Sequence, residues 1–223
     1  MNFEYLRKKM VEEQIVHRGI HNSQVIEAMR KVWRHEFIPE QELSNAYADC
    51  PLSIGNGQTI SQPSTVARML QLSHVRTGND SLEIGSGSGW NACLLAYLAF
   101  PGKTLSLERI SALTKFAQEN SARALDGLPK KFKERLSSLS YETQNIFKDP
   151  KKIEGIYSCI IITAGIEKGQ EGLIRSLARE RLRSGGRLVC PYQRGPLIIM
   201  DKQGGNITVS HTREQYVFVP LLD

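Results

Sequence analysis

The sequence predicts an α/β fold: a doubly wound, Rossmann-like, mostly parallel sheet with an antiparallel C-terminal hairpin edge and an N-terminal helical extension. Three observations predict it. Ser81-Leu82-Glu83-Ile84 is a short apolar strand that runs into Gly85-Ser86-Gly87-Ser88-Gly89-Trp90, and the helix-forming stretch Asn91 to Phe100 follows. Ile156 to Thr163 is a continuous apolar run, as expected of a parallel strand buried on both faces. Strand-like and helix-like segments alternate through the middle of the chain and give way to a hairpin pattern near its end.

Taken in order, Glu4 to His17 reads as an amphipathic helix with Leu6, Met10, Val11 and Ile15 near one side. Asn22 or Ser23 can cap a second helix through Arg30. Pro39 ends any helix in Arg34-His35-Glu36-Phe37-Ile38. Ala46 to Pro63 reads as a long, turn-rich loop, and loops of that length in a compact chain are commonly functional. Pro63 opens a helix to about His74, with Val66, Met69, Leu70 and Ser73 on one face. After the glycine strand and its helix, Thr104 to Leu107 is a strand ended by Glu108. Ser111 then caps a helix to about Leu125 that turns Leu113, Phe116, Ala117 and Ala124 inward. Leu136 to Tyr141 is a weaker third strand, and Leu173 to Leu182 is a helix ended by Gly185-Gly186. Arg187 to Pro191 is the next strand. Leu197 to Lys202 and Ile207 to Val209 form a hairpin about Gln203-Gly204-Gly205-Asn206, and Tyr216 to Leu221 is a last strand.

At 223 residues the chain fits one domain over 1–223. Residues 1–62 supply N-terminal helices and a substrate and cofactor loop, and 63–223 supply an α/β core. A 40% hydrophobic and 23% charged composition is that of a globular protein. No apolar run approaches a membrane span, and Met1 to His17 lacks a signal-peptide apolar region, so no membrane partner is expected. Cys50, Cys93, Cys159 and Cys190 are scattered with no C-x-x-C pair, which suits a reducing cytoplasm and offers no metal site. The net charge of +6 raises the question of nucleic acid. The densest cluster, Lys130, Lys131, Lys133, Lys148, Lys151 and Lys152, is interleaved with acids and reads as a solvated face, so no nucleic-acid partner is expected.

The glycine stretch carries the chemistry. A strand, a glycine-rich turn and a helix N-terminus let a backbone approach a ligand and offer it free N–H groups. A dinucleotide site prefers G-x-G-x-x-G; here the glycines fall at 85, 87 and 89, one residue tighter, with Trp90 in the slot of the third. Glu108 lies about 20–25 residues beyond the turn, where a ribose-binding carboxylate belongs. Together with Glu83 before the first glycine, this indicates a ligand with a ribose, no pyrophosphate and a cationic part. S-adenosylmethionine fits that description.

Several segments together resemble the protein-L-isoaspartate O-methyltransferase family. They are Pro51-Leu-Ser-Ile-Gly-Asn-Gly-Gln-Thr-Ile-Ser-Gln-Pro63, Leu82-Glu-Ile-Gly-Ser-Gly-Ser-Gly89, Gly185-Gly-Arg-Leu-Val189 with Pro191, Val217-Phe-Val-Pro-Leu221, and Glu27 to Val32 with Arg34 to Pro39. The match is colinear over nearly the whole chain, and Gln58 to Pro63 is its most specific part. The resemblance implies methylation of the α-carboxylate of L-isoaspartyl residues in damaged proteins or peptides by S-adenosylmethionine, with S-adenosylhomocysteine as product, in a cytoplasmic monomer. It implies Ser61 as the active-site serine. Cofactor contacts are expected at Thr59, Ile60, Ser61, Glu83, Gly85, Ser86, Gly87, Gly89, Glu108, Arg109 and Asn145, and substrate contacts at Ser61, Thr163, Ala164 and Pro191. Glu83 would hold the amino acid end of the cofactor and Glu108 the ribose.

A carboxylate is already ionised at neutral pH. Its attack on a sulfonium methyl needs no general base, so Ser61 reads as a hydrogen-bond donor rather than a nucleophile, and His17, His21, His35, His74 and His211 read as structural or surface groups. The chain departs from the family pattern in three places. Gln144-Asn145-Ile146 stands where Gly-Asp-Gly is usual, Thr163-Ala164-Gly165-Ile166-Glu167-Lys168 where Thr-Ala-Ala-Ala-Pro is usual, and Tyr192 and Arg194 where a small residue and a glycine are usual. Those departures leave open a relative that methylates a different peptide or small acid, or a non-catalytic homologue.

Overall fold

The computed structural model describes residues 1–126, 130–148 and 152–222. Lys151 of the basic cluster lies outside them, as do the side chains of Lys130 and Lys131.

The N-terminal amphipathic pattern folds as α1 (Phe3–Met10), capped by Asn2 whose side chain accepts from the Tyr5 N–H, and continues into one π-helical stretch over Val11–Val16. Met10, Val11 and Ile15 are buried. Helix α2 (Ser23–Lys31) is capped by Asn22, whose side chain accepts from Gln24 and Val25 N–H groups. The segment expected as a loop contains a tight hairpin, β1 (Leu52–Gly55) and β2 (Gln58–Ile60), paired Leu52 with Ile60 and Gly55 with Gln58. Asn56 and Gly57 form its two-residue turn, both at positive φ (54° and 69°). Asn-Gly between apolar residues is the sequence signal for such a turn, and it accounts for the difference. Helix α3 (Pro63–Ser73) begins on Pro63 as expected and buries Val66, Met69, Leu70 and Ser73.

The main sheet has seven strands. Strands β3 (Ser81–Ile84), β4 (Thr104–Glu108), β5 (Leu139–Thr143), β6 (Tyr157–Ile162) and β7 (Leu182–Pro191) run parallel, and β9 (Leu197–Gln203) and β10 (Asn206–His211) add the antiparallel edge. The order is β5-β4-β3-β6-β7-β9-β10, so the chain reverses direction of winding between β3 and β6. That switch point is where a ligand crevice forms in such a sheet. Alternate residues of β6 serve opposite layers: Cys159 and Ile161 pack with α3 and α4, and Ile160 and Ile162 with Ile174 and Leu177 of α7 (Glu171–Arg181). Burial on both faces explains the unbroken apolar run. Helix α4 (Trp90–Ala99) is apolar all round for the same reason, with nine of its residues buried.

Four boundaries differ from the sequence reading for a physical reason that the structure shows. Strand β5 begins at Leu139 rather than Leu136, because helix α6 (Lys130–Leu136) precedes it; an edge strand with Leu139 and Tyr141 half-buried and its other residues exposed leaves a weak apolar signal. Helix α5 (Ser111–Asp126) starts from the Ile110 carbonyl, which accepts from Thr114, so Ser111 lies inside the first turn. Gly185-Gly186 does not end α7, which stops at Arg181; the pair lies inside β7, where the register against β6 shifts between Tyr157 and Cys159. The last strand shortens to β11 (Tyr216–Val217), paired with β8 (Arg194–Gly195) outside the main sheet. Beyond it, Leu221 N–H donates to Gly165 O, and Gly165 N–H donates to Val219 O.

Candidate active site

A cleft open to solvent at its mouth lies at the C-terminal ends of β3, β4 and β6. The first wall comes from β3 and the turn after it: Ile84, Gly85, Ser86, Gly87 and Ser88, with Trp90 and Asn91 at the start of α4. Gly85 has φ +97°, and a Cβ there would collide with the Thr163 hydroxyl. Glycine is therefore required for the turn to pass the end of β6. Glu108, at the end of β4, is 6% exposed and accepts from Gly87 N–H and Ile110 N–H, both at 3.0 Å, through its two oxygens. Each carboxylate oxygen has a second lone pair. Glu108 thus braces the glycine turn and keeps capacity for two ligand hydroxyls. Leu107, Ile110 and Ile146 add apolar surface beside it, and Gln144 and Asn145 follow β5 into the cleft. A ribose and a flat heterocycle fit that set of groups. Asn145 Oδ1 accepts from Phe147 N–H at 2.9 Å, which fixes the turn and still leaves an acceptor lone pair.

The opposite wall is β2 and its exit, Gln58, Thr59, Ile60 and Ser61, with Val66 and Met69 from α3. Thr163-Ala164, after β6, line the cleft beside the glycine turn, the Thr163 hydroxyl donating to the Gly85 carbonyl. Val219, Pro220, Leu221 and Leu222 close the side. Arg34 holds this wall to the first. It is fully buried and donates to the carbonyls of Ala46 (2.8 Å), Ser61 (2.7 Å) and Cys50 (3.4 Å), and its guanidinium lies 4.7 Å above the Trp90 ring. Burial lowers its pKa to about 9, against the opposing fields of Cys50, Tyr47 and Asp49.

Among the expected site residues, Thr59, Ile60, Ser61, Gly85, Ser86, Gly87, Glu108, Arg109, Asn145, Thr163 and Ala164 all line the cleft. Three do not. Gly89 faces α5, where a Cβ would press on Ala117 and the Tyr141 hydroxyl. Pro191 is buried at the end of β7, its carbonyl accepting from Ile166 N–H. Glu83, expected to touch the ligand directly, is wholly enclosed behind the wall; Asn91 Nδ2 donates to it at 2.7 Å, and Ser106 Oγ donates to its other oxygen. Burial raises its pKa to about 8, opposed by the hydrogen bonds from Ser106 and Asn91 and reinforced by Glu108. The sequence reading missed Gln58, Asn91, Ile110, Gln144, Ile146 and the C-terminal segment. Ile110 and Ile146 follow the two strand-end residues it did name, a positional signal that was available.

Glu108 and Arg109 are the only charged residues among those described in the cleft lining. None of the five histidines lines it: His35 stacks between Phe3 and Trp33, His74 meets Arg187, and His211 stacks on Tyr192. Of the departing segments, Gln144 to Ile146 and Thr163-Ala164 line the cleft, whereas Gly165 to Lys168 and Tyr192 to Arg194 are not among the lining residues and meet each other. A Cβ on Gly165 would lie 2.5 Å from the Gln193 Cα, so the alanine usual in the family cannot stand there beside this Tyr192-Gln193 backbone. Tyr192 turns away, its hydroxyl donating to Glu171.

Residues 5–223 match the model of the protein-L-isoaspartate(D-aspartate) O-methyltransferase family. The chain belongs to this family. A protein-L-isoaspartate O-methyltransferase of Geobacter metallireducens is 42% identical over 195 residues, covering 86% of this chain and 80% of the relative. One from Methanospirillum hungatei is 38% identical over 218 residues, covering 97% and 93%. Both sides of the cleft lie within the family match. The fold is shared with a Plasmodium falciparum structure assigned to the protein-L-isoaspartate O-methyltransferases and solved with S-adenosyl-L-homocysteine, at TM-score 0.78 and 24% identity, covering 100% of this chain and 99% of that one.

Proposed function

We propose that this protein transfers a methyl group from S-adenosylmethionine to the α-carboxylate of L-isoaspartyl residues in damaged proteins and peptides, leaving S-adenosylhomocysteine. The observation that carries the reading is a single cleft lined on one side by the glycine turn and Glu108 and on the other by Gln58 to Ser61. When bound, the cofactor supplies an electrophilic methyl on a sulfonium. The work of the chain is then to place two reactants in line and to exclude water, which can supply much of the rate. Glu108 would take the ribose hydroxyls, and Asn145 the adenine edge. Thr59, Ile60 and Ser61 sit between cofactor and substrate, with Thr163 and Ala164 across from them. The Ser61 hydroxyl orients the attacking carboxylate as a donor, and the hold of Arg34 on the Ser61 carbonyl keeps that hydroxyl in place. The absence of a histidine from the described lining agrees with a reaction that removes no proton.

No helix among the described residues is long and apolar enough to cross a membrane. Four unpaired cysteines, three of them buried, support a reducing cytoplasm as the working compartment, and we propose the chain acts there as a monomer of one domain. The test is transfer of labelled methyl from S-adenosylmethionine to a short L-isoaspartyl peptide beside the same peptide with normal aspartate. Labelling of the isoaspartyl peptide alone is expected. Labelling of neither, with S-adenosylhomocysteine still bound, would overturn the substrate and leave the cofactor assignment standing.

A further inference from the structure

The β1–β2 hairpin leads into one wall of the cleft and carries a chemically unstable dipeptide at its tip. Of the nine asparagines in the sequence, Asn56 alone is followed by glycine. Asn56 and Gly57 are both exposed, and among the described residues no hydrogen bond holds the Asn56 carboxamide. A Cβ built on Gly57 would meet nothing within 4 Å, so the turn stands in open solvent. An asparagine carboxamide is open to attack by the backbone nitrogen of the next residue. The reaction is fastest where that residue has no side chain to crowd the forming ring, and glycine also lets the nitrogen turn most freely. The hairpin resists the required rotation only weakly. It is a two-stranded sheet apart from the main one, with three pairings and a register irregularity between Ser53 and Gly55. Such a ribbon is marginal on its own and opens locally at small cost. Leu52, Ile54 and Ile60 are anchored in the core, so the opening is confined to the tip.

We propose that Asn56-Gly57 is a deamidation site whose isoaspartyl product disables the cleft. The Gly57 nitrogen loses its proton and bonds to Asn56 Cγ, the carboxamide nitrogen leaves as ammonia, and a succinimide ring results. Water then opens the ring at either carbonyl. Opening beside Cα routes the main chain through Cβ and Cγ; opening at Cγ leaves an ordinary aspartyl link. One water enters, one ammonia leaves, and nothing is oxidised or reduced. The two products differ in consequence. Asp-Gly suits the same turn as Asn-Gly. The isoaspartyl link adds a main-chain atom to a two-residue turn, so Gly55 and Gln58 can no longer pair as they do. A register error carries side chains to the wrong face. Gln58, Thr59, Ile60 and Ser61 follow directly and line the cleft, and the Ile54 side chain on the other strand lies beside Gly87 of the glycine turn. Both walls therefore feel the change. The expected loss of turnover rests on the proposed methyl transfer; the modification does not.

The test ages the protein at mildly alkaline pH without S-adenosylmethionine, so that no methyl transfer acts on the product. Samples are digested at low pH, and the peptide containing Asn56 is read by mass spectrometry with electron-transfer fragmentation, which separates isoaspartate from aspartate. Asn56 is expected to convert ahead of every other asparagine, with isoaspartate the major product. S-adenosylhomocysteine binding by titration calorimetry and methyl transfer to an isoaspartyl peptide should both be lost in proportion to the isoaspartyl fraction. Asn56→Gly keeps a turn of the same kind without the carboxamide, so it should start within about twofold of the unmodified activity and hold it on ageing. Freshly made Asn56→Asp, which adds the charge without the extra main-chain atom, should also start active; an inactive start would assign the damage to the charge and overturn the role of the isoaspartyl link. Survival of Asn56 while other asparagines convert, or conversion with binding and turnover retained, would overturn the proposal. A fresh protein that binds S-adenosylhomocysteine and labels no isoaspartyl peptide would overturn the proposed substrate instead, and mapping and binding would still decide this site.

Discussion

The two walls of the cleft are built in opposite ways. The wall proposed for the cofactor is one continuous stretch, Ser81 to Asn91, with Glu108 reaching across from the neighbouring strand to accept from Gly87. A strand, three glycines and a helix start create it from residues close in sequence. The wall proposed to face the substrate is assembled from residues far apart. Ser61 is held by Arg34 across 27 positions, and Val219 to Leu222 are held by Gly165, which packs against the Gln193 backbone. Local backbone geometry makes the first wall; buried tertiary contacts make the second. The second should therefore be the one where a change in one segment demands a change in another. Gly165 shows the coupling: a Cβ there would press on the Tyr192-Gln193 backbone.

The sharpest break of this comparison is Arg34→Ala. It leaves the carbonyls of Ala46, Cys50 and Ser61 without a donor and a void over Trp90. A stability loss on the order of 3–5 kcal/mol is expected by urea denaturation. A loss under about 1 kcal/mol would show that the substrate wall does not hang on this residue.

Glu83 tests the cofactor wall. Its carboxyl pKa lies near 8 in the folded state because burial disfavours the charge, against 4.5 in a model chain. The folded state therefore holds the proton to higher pH than the unfolded chain does. That contribution is fully present below about pH 4.5 and is lost as pH rises through 8, with Glu108 on β4 adding to the loss. Ligand-free protein should lose stability on the order of a few kcal/mol between pH 5 and 8, and Glu83→Gln should flatten that slope. Parallel slopes for the two proteins, measured by denaturant titration at a series of pH values, would place the carboxyl outside this window.

Ser61→Ala separates the walls functionally. Turnover of an isoaspartyl peptide should fall about tenfold, the loss of one hydrogen bond to a charged group, with S-adenosylhomocysteine affinity nearly unchanged. Loss of cofactor affinity as well would move Ser61 to the other wall. The smallest effect is expected from Asn145→Asp. A carboxylate oxygen can keep the bond to Phe147 N–H and accept from the adenine edge, so cofactor affinity should stay level or rise by less than about tenfold. A clear weakening would show that this side chain does not meet the adenine.

Much of this protein was determined by sequence alone, where a residue's role follows from its neighbours in the chain. Residues 81–100 carried strand, turn and helix because glycine permits the turn and apolar residues continue on either side. The unbroken apolar run of β6 marked a strand covered on both faces, and the order of acid, glycines and second acid placed Glu108 in the cleft. Other features were decided only by tertiary structure. Edge strand β5 was displaced because half its surface stays wet and writes little periodicity. The Tyr216–Val217 strand shortened because Val219 and Leu221 pair with Gly165 instead of extending it. Glu83 was legible as an acid at a strand end, but not as one sealed behind Asn91 and Ser86. Whether a side chain at the end of a strand meets the ligand or its neighbours depends on what the adjacent strand and helix place beside it, and here those are Ser106 and Asn91.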